Sequence, residues 1–385
     1  RIFNLMFMSN RIYLSLAQMG GEELKFVNEA FSTNWVVPLG PNVDAFEKDL
    51  EAYLGEGKRV VALSAGTAAI HLGLVMLGVT AGDEVICQSF TFAASANPVK
   101  YLGANPVFVD SENDTWNMSP ALLEQAILDR KKITGRYPKA IVVVHLYGMP
   151  AKIDEILEIA NRYNIPVLED AAEAIGSTYK GRMCGTFGAY GVLSFNGNKT
   201  ITTSGGGALI CGTDEQAKRV MFFATQAREN RPYYYHKEIG YNYRLSNVSA
   251  GIGRGQMLVL NHHVSRRRAI HELYTKLFAN VDGITVKGNP GTDYDSNFWL
   301  SCIIIDPEKF GKTNDEVRLA LEAENIESRL LWNPMHRHPV YENAPFYGNG
   351  VSDSLFAHGL CLPSGSSLTN DDIARVAAAV LACKK

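Results

Sequence analysis

The sequence predicts an α/β fold in which a mostly parallel sheet, covered by helices on both faces, precedes a smaller C-terminal α+β domain. From about Arg59 to Cys211, short β-rich runs alternate with helical patterns, the signature of βαβ units. The run Ala140-Ile-Val-Val-Val144 is apolar at every position, as a strand buried on both sides requires. After Gly283 this alternation gives way to a mixture of short strands and helices. At 385 residues, 46% hydrophobic and 20% charged, the chain has the length of two domains and material for an ample core.

The β-rich runs are, in order, Arg59–Ser64, Glu84–Ser89, Pro106–Asp110, Ala140–Leu146, Pro166–Asp170, Gly191–Phe195 and Ala208–Cys211. Ala68–Leu77, Pro120–Lys131 and Ile153–Tyr163 read as helices between them. A long helical pattern covers Ser246 to Ala279, with a break expected near His262-His263. Beyond it, Phe298–Ile305 reads as strand, and Thr313–Glu324 and Asp371–Leu381 read as helices. The expected division is 1–13 as an N-terminal extension or remnant, 14–255 as a large domain and 256–385 as a small one. Arg1–Phe7 is apolar without a cleavage pattern, and Met8 offers a start.

Net charge is −3, and the runs Arg266-Arg267-Arg268 and Lys131-Lys132 are too short for a nucleic-acid patch. They suit helix-surface charge or contact with an anionic substrate. The six cysteines are dispersed without a C-x-x-C pair, which fits reduced core thiols in a cytoplasmic protein and no metal site. No run approaches the roughly 18 consecutive apolar residues of a membrane span.

Chemistry concentrates where predicted strands end. Ser64-Ala-Gly-Thr-Ala-Ala follows a strand and opens a helix. Small residues and free N–H groups there suit a phosphate, and Thr67 could add a hydroxyl; the stretch equally fits an N-cap packed on the sheet. Asp170 ends another strand, where ligands of open α/β sheets gather, or it caps the next helix. Phe92 follows a third strand end and is either a core ring or a ring facing the same crevice. Finally, Lys199 is the only charged side chain between Met183 and Thr213. Desolvation disfavours an ammonium, and the neutral amine is a nucleophile that condenses with carbonyls. A phosphate site, a carboxylate and a desolvated lysine are together what pyridoxal 5′-phosphate requires: an anchor, a partner for the ring nitrogen and an imine-forming amine.

Six stretches then carry a resemblance over nearly the whole chain, from about Leu14 to Leu381: Ser64-Ala-Gly-Thr-Ala-Ala69, Ser89-Phe-Thr-Phe92, Leu168-Glu-Asp-Ala-Ala-Glu173, Ser194-Phe-Asn-Gly-Asn-Lys199, Gly205-Gly-Gly207 and Gly240-Tyr-Asn-Tyr-Arg-Leu-Ser-Asn247. In this order and spacing the sequence resembles the DegT/StrS-type nucleotide-sugar aminotransferases, a pyridoxal-phosphate-dependent branch of the aspartate-aminotransferase (fold type I) superfamily. The resemblance implies a mostly parallel seven-stranded central sheet in the large, cofactor-binding domain. It also implies that Lys199 forms the imine with the cofactor, Asp170 partners the pyridinium and Phe92 stacks on the ring. Ala65, Gly66, Thr67 and Ser194 would bind the phosphate. Asn242 would reach the phosphate from the neighbouring subunit of a homodimer with shared active sites. Glu173 stands where many relatives place His or Gln beside the phenolic oxygen.

Thr225-Gln-Ala-Arg-Glu229 and Tyr233-Tyr-Tyr-His236 look most like the subgroup acting on UDP-4-keto-6-deoxy-N-acetylhexosamines. That subgroup makes 4-amino sugars of the bacillosamine type with L-glutamate as donor, in a ping-pong transamination. Arg228, Arg244, Arg329 and His336 are then candidates for the diphosphate or the donor carboxylate; structural ion pairs are the alternative for each. A deoxysugar dehydratase on the same fold would carry His in place of Lys199. A cofactor-binding regulator that kept the fold is the other alternative, and the presence of Lys199, Asp170 and Asn242 argues against it.

Overall fold

The computed structural model describes residues 10–55 and 57–384; the expected start at Met8 lies outside them. An eight-stranded sheet organises the large part of the molecule. Its order is Arg59–Leu63, Gly207–Cys211, Tyr190–Ser194, Val167–Asp170, Ala140–Val144, Glu84–Gln88, Asn105–Val109 and Phe346–Tyr347. The first seven in this order are the strands read from the sequence, so the expected seven-stranded sheet gains an eighth. Phe346–Tyr347 pairs in parallel with Asn105–Val109, and two residues are too few to set up a period-2 pattern.

Neighbouring strands are parallel except at Gly207–Cys211, which is antiparallel to both Arg59–Leu63 and Tyr190–Ser194. Antiparallel neighbours need no crossover helix. The chain therefore returns from Ser194 to Gly207 through a loop, and Lys199 lies on it. All five residues of Ala140–Val144 are buried. On one face of the sheet Ile86, Val107, Ile141 and Val143 pack with Leu123 and Ile127 of helix Pro120–Thr134 and Ile156 of helix Ile153–Arg162. On the other, Val142, Leu168 and Leu209 pack with Ile70, Leu72 and Leu74 of helix Gly66–Met76. That helix is buried continuously from Ala68 to Leu74, which explains why its sequence lacks a polar face.

A second, four-stranded antiparallel sheet follows in the order Ile284–Val286, Ser301–Ile305, Gly359–Leu362, Arg329–Leu330. Its core joins Ile303, Ile305 and Leu360 to Ile270, Tyr274 and Phe278 of one helix and Ile373, Val376 and Val380 of another. Residues counted with the N-terminal extension belong to this core, since Ile12 is buried in it and bridges to Ile326.

The long helical pattern breaks earlier than expected. Helices Asn247–Met257 and Leu260–Phe278 meet at Leu258-Val259, where Leu258 and Val259 donate to Gly255 and Gln256 in tight i→i−3 bonds. His262 and His263 lie inside the second helix. The arginine run on that helix is internal wiring instead of surface charge. Arg266 donates to Leu368 O, Arg267 to Trp299 O and Ser364 O, and Arg268 to Ser296 O and Gly176 O. Arg267 is fully buried, and desolvation pushes its guanidinium down to about 10. Among the described residues no helix is long and apolar enough to cross a membrane.

Candidate active site

The parallel strands end along one edge of the large sheet, and a cavity of about 630 Å³ opens there, where open α/β sheets place ligands. Ser64–Thr67, Thr91, Phe92, Ser95, Asp170, Glu173, Ser194 and Lys199 line it from the large sheet. Trp299, Glu327, Arg329 and Trp332 close it from the side of the second sheet, with Leu14 and Ser15 between.

One end of the cavity is a backbone cradle. Ala65 is extended, and helix Gly66–Met76 begins immediately after it with no side chain capping its first turn. Its leading N–H groups are thus left to an anion. Three backbone segments converge here because two of them have no side chain. A Cβ on Gly66 would press to 3.1 Å from Ser194 Cβ, and one on Gly207 would overlap the Ala65 carbonyl carbon and the Gly66 nitrogen. Ser64, Thr67 and Ser194 add hydroxyls to the same end.

Asp170 is 5% exposed at the end of its strand. Ser95 Oγ donates to its Oδ2 at 2.7 Å, and the Ala172 N–H donates to Oδ1 at 3.2 Å. Lys199 Nζ lies 3.1 Å from Glu173 Oε1 and 4.1 Å from the centre of the Trp299 ring. Trp299 Nε1 and Ser15 Oγ both donate to Asn198 O at 2.8 Å, which pins the loop next to the lysine. Arg267 donates to Ser15 Oγ as well as to Trp299 O, so one buried guanidinium supports both contacts. Glu173 accepts the Tyr147 N–H at 2.7 Å. Burial pushes its carboxyl above the usual range, and the neighbouring Lys199 ammonium partly opposes that rise.

The cavity thus gathers Ala65, Gly66, Thr67, Phe92, Asp170, Glu173, Ser194, Lys199 and Arg329. Phe92 is 59% exposed, with its ring 5.7 Å from that of Trp332. Arg329 reaches the wall on an ion pair with Glu327 at 2.7 Å. The other expected contacts lie elsewhere within this chain. Arg244 is drawn to Glu47 at 2.7 Å and to Ala62 O, so it serves a buried ion pair behind the sheet edge. His336 accepts or donates at Ser89 Oγ, stacks on Phe346 at 3.7 Å, and is lowered in basicity chiefly by burial. Arg228 is exposed over Tyr234, and Asn242 is exposed on a segment bridged to Thr225. Sequence reasoning passed over Ser95, Glu327, Trp299 and Trp332. Ser95, three residues beyond Phe92, had a weak signal in its position after a strand end. The other three lie in segments flanking strands of the distant second sheet and had none.

The donor set fits pyridoxal 5′-phosphate: a capless helix start in a glycine cradle, a buried carboxylate, and a lysine amine share one cavity. The comparisons agree. The model of the DegT/DnrJ/EryC1/StrS aminotransferase family matches residues 17–381. EpsN of Bacillus subtilis (strain 168), provisionally named a pyridoxal phosphate-dependent aminotransferase, is 47% identical over 373 residues, covering 96% of this chain and 95% of that protein. A GDP-perosamine synthase of Escherichia coli O157:H7 is 36% identical over 353 residues, 92% of this chain and 93% of the relative. Among solved structures, a DegT DnrJ EryC1 StrS aminotransferase from Brucella abortus superposes with a TM-score of 0.87 at 30% identity, covering 93% of this chain and 94% of that one.

Proposed function

The chain belongs to the DegT/DnrJ/EryC1/StrS aminotransferase family, and from that premise we propose that it moves an amino group from L-glutamate to C4 of a nucleotide-linked 4-keto-6-deoxy sugar, with UDP-4-keto-6-deoxy-N-acetylglucosamine as acceptor. Pyridoxal 5′-phosphate is the family's cofactor. When bound, it supplies an aldehyde carbon that carries the amino group and a ring that takes up electrons as a C–H bond breaks.

The observation that carries the reading is the convergence of Lys199, Asp170, Glu173 and the Gly66/Gly207 cradle on one cavity. The cradle and the Ser64, Thr67 and Ser194 hydroxyls hold the phosphate. Asp170 holds the ring nitrogen. Lys199 Nζ is the nucleophile and the base that takes the proton from the donor's Cα. Glu173 is the nearest acid to that amine. Burial raises its carboxyl, which moves it toward the form that can donate to a phenolic oxygen where a carboxylate would repel it. The dehydratase alternative needs a histidine where this chain has Lys199.

Lys199 and Arg329 are the two cationic side chains on the cavity wall among the described residues. A diphosphate and a donor carboxylate ask for more, which a second copy of the chain would supply, together with the neutral amide of Asn242 for the cofactor phosphate. The UDP-linked acceptor rests on the residues around Arg228 and Tyr233–His236. The GDP-perosamine synthase relative favours a GDP-linked 4-keto sugar as a second reading. A panel of nucleotide-linked ketosugars, assayed with L-glutamate, tests both, and turnover of a dTDP-linked 3-keto sugar alone would overturn both. Lys199→Ala is expected to lose the cofactor's yellow absorbance and turnover together; normal turnover in that variant would remove Lys199 from its role.

A further inference from the structure

We propose that Ser95 is a positioning residue for Asp170, supported by Thr91, the two hydroxyls forming a relay that holds the carboxylate in place and aimed at the ring nitrogen of the bound cofactor. The proposal rests on the reading of Asp170 given above. Both hydroxyl residues line the cavity and are almost without solvent contact, Ser95 at 1% and Thr91 at 0% exposure. Ser95 Oγ lies 2.7 Å from Asp170 Oδ2, and Thr91 Oγ1 lies 2.7 Å from Ser95 Oγ.

Chemistry sets the direction of the relay. An ionised carboxylate only accepts, so the Ser95 proton must point to Asp170, and the Ser95 lone pairs are left to accept from Thr91. Hydrogen bonds in such a chain polarise one another. The Ala172 N–H occupies the other carboxylate oxygen, so both oxygens have a donor while the carboxylate still faces the cavity. Ser95 ends the short helical turn Ala93–Ser95, and its own N–H donates to Phe92 O. The turn that presents Phe92 to the cavity therefore also delivers the donor beneath Asp170.

The charged groups around Asp170 are few. Glu173 follows on the same segment, and Lys199 pairs with it. On the flanking strands the residues level with Asp170 are Val144 and Val192. The next residue on one side, His145, gives Asp170 its backbone N–H, while its imidazole pairs with Glu169 at 2.8 Å on the opposite face of the strand. The hydroxyl relay is thus the direct side-chain support of the carboxylate.

The test compares Ser95→Ala, Ser95→Thr, Thr91→Val and Asp170→Asn with the unaltered holoenzyme. Three quantities are read: the pH midpoint of the bound cofactor's visible absorbance, the cofactor dissociation constant, and the thermal midpoint of the cofactor-free protein. Without Ser95 the carboxylate draws the shared proton toward itself. With the cofactor bound, a less positive ring would leave the amine contributed by Lys199 more basic, so the absorbance change would come at higher pH. Ser95→Ala is expected to move the absorbance midpoint upward and weaken cofactor binding by roughly tenfold, the scale of one charge-assisted hydrogen bond. Thr91→Val should do the same to a smaller extent, Asp170→Asn to a larger one, and Ser95→Thr should resemble the unaltered enzyme. A Ser95→Ala or Thr91→Val variant that changes only the thermal midpoint would overturn the relay. If Asp170→Asn also leaves midpoint and affinity unchanged, the reading of Asp170 itself fails.

Discussion

Beside Lys199, the Glu173 carboxyl is 5% exposed and held above the ordinary carboxylate range by burial, with the Lys199 ammonium pulling it back. A carboxyl raised on folding binds more protons in the folded than in the unfolded chain, so its contribution runs opposite to that of a normal ion pair. The stability it confers is complete below the unfolded value of about 4.3 and is lost as pH rises through the folded one. In the cofactor-free protein, the thermal midpoint of the unaltered chain relative to Glu173→Gln should therefore fall as pH rises from about 4; a constant difference would show that folding leaves the carboxyl unshifted, and a rising one that folding lowers it. Single residues differed in how legible they were. Lys199 stood out because a lone charge in a long neutral stretch needs no partner to be noticed. The ion pair of Arg244 could not be read, because Glu47 lies in helix Pro41–Leu54, far away in the chain.

Elements were legible where their own sequence sets their period and hidden where a neighbour does. The seven long strands emerged within two residues, since their burial repeats along the chain; of the helices, Pro120–Thr134 runs three residues past its expected end and the short Asn97–Tyr101 was not read. The break in the long helical pattern was expected a few residues too late, and the edge strand Phe346–Tyr347 did not emerge, because it is defined by pairing with a remote strand. The hairpin that turns at Lys199 adds a prediction of its own. Gly207 sits level with Leu63 on one side and Ser194 on the other, with the start of helix Gly66–Met76 against it. Gly207→Ala should force the cradle open, costing about 1–3 kcal/mol in stability and weakening cofactor binding more than it slows a saturated half-reaction. Urea unfolding and a cofactor titration check it; unchanged affinity would show that the cradle relaxes without loss.

At the scale of the whole molecule the cavity is a joint product of two sheets. The large one contributes the cradle, Asp170 and Lys199; the second contributes Trp299, Glu327, Arg329 and Trp332, and Arg267 ties it to the lysine loop through Ser15 and Trp299. Asn242 lies outside this cavity in its own chain, which is the arrangement shared sites would require. Mixing Lys199→Ala with Asn242→Ala protein, each nearly inactive, should restore activity, because each mixed dimer would hold one intact site. Absence of any recovery under conditions that exchange subunits would sink the shared site. The sequence by itself indicated the succession of strands and helices, and the lone lysine, the acid and the small-residue turn from which the cofactor was read. These are local signals: a period, a small residue, an isolated charge. Only the tertiary structure decided that Ser95 donates to Asp170, that Trp299 covers Lys199, that Arg244 pairs with Glu47 and that Arg267 is buried among backbone carbonyls. Each of those depends on side chains brought together from distant segments, and a contact between distant segments leaves no periodic trace in either one.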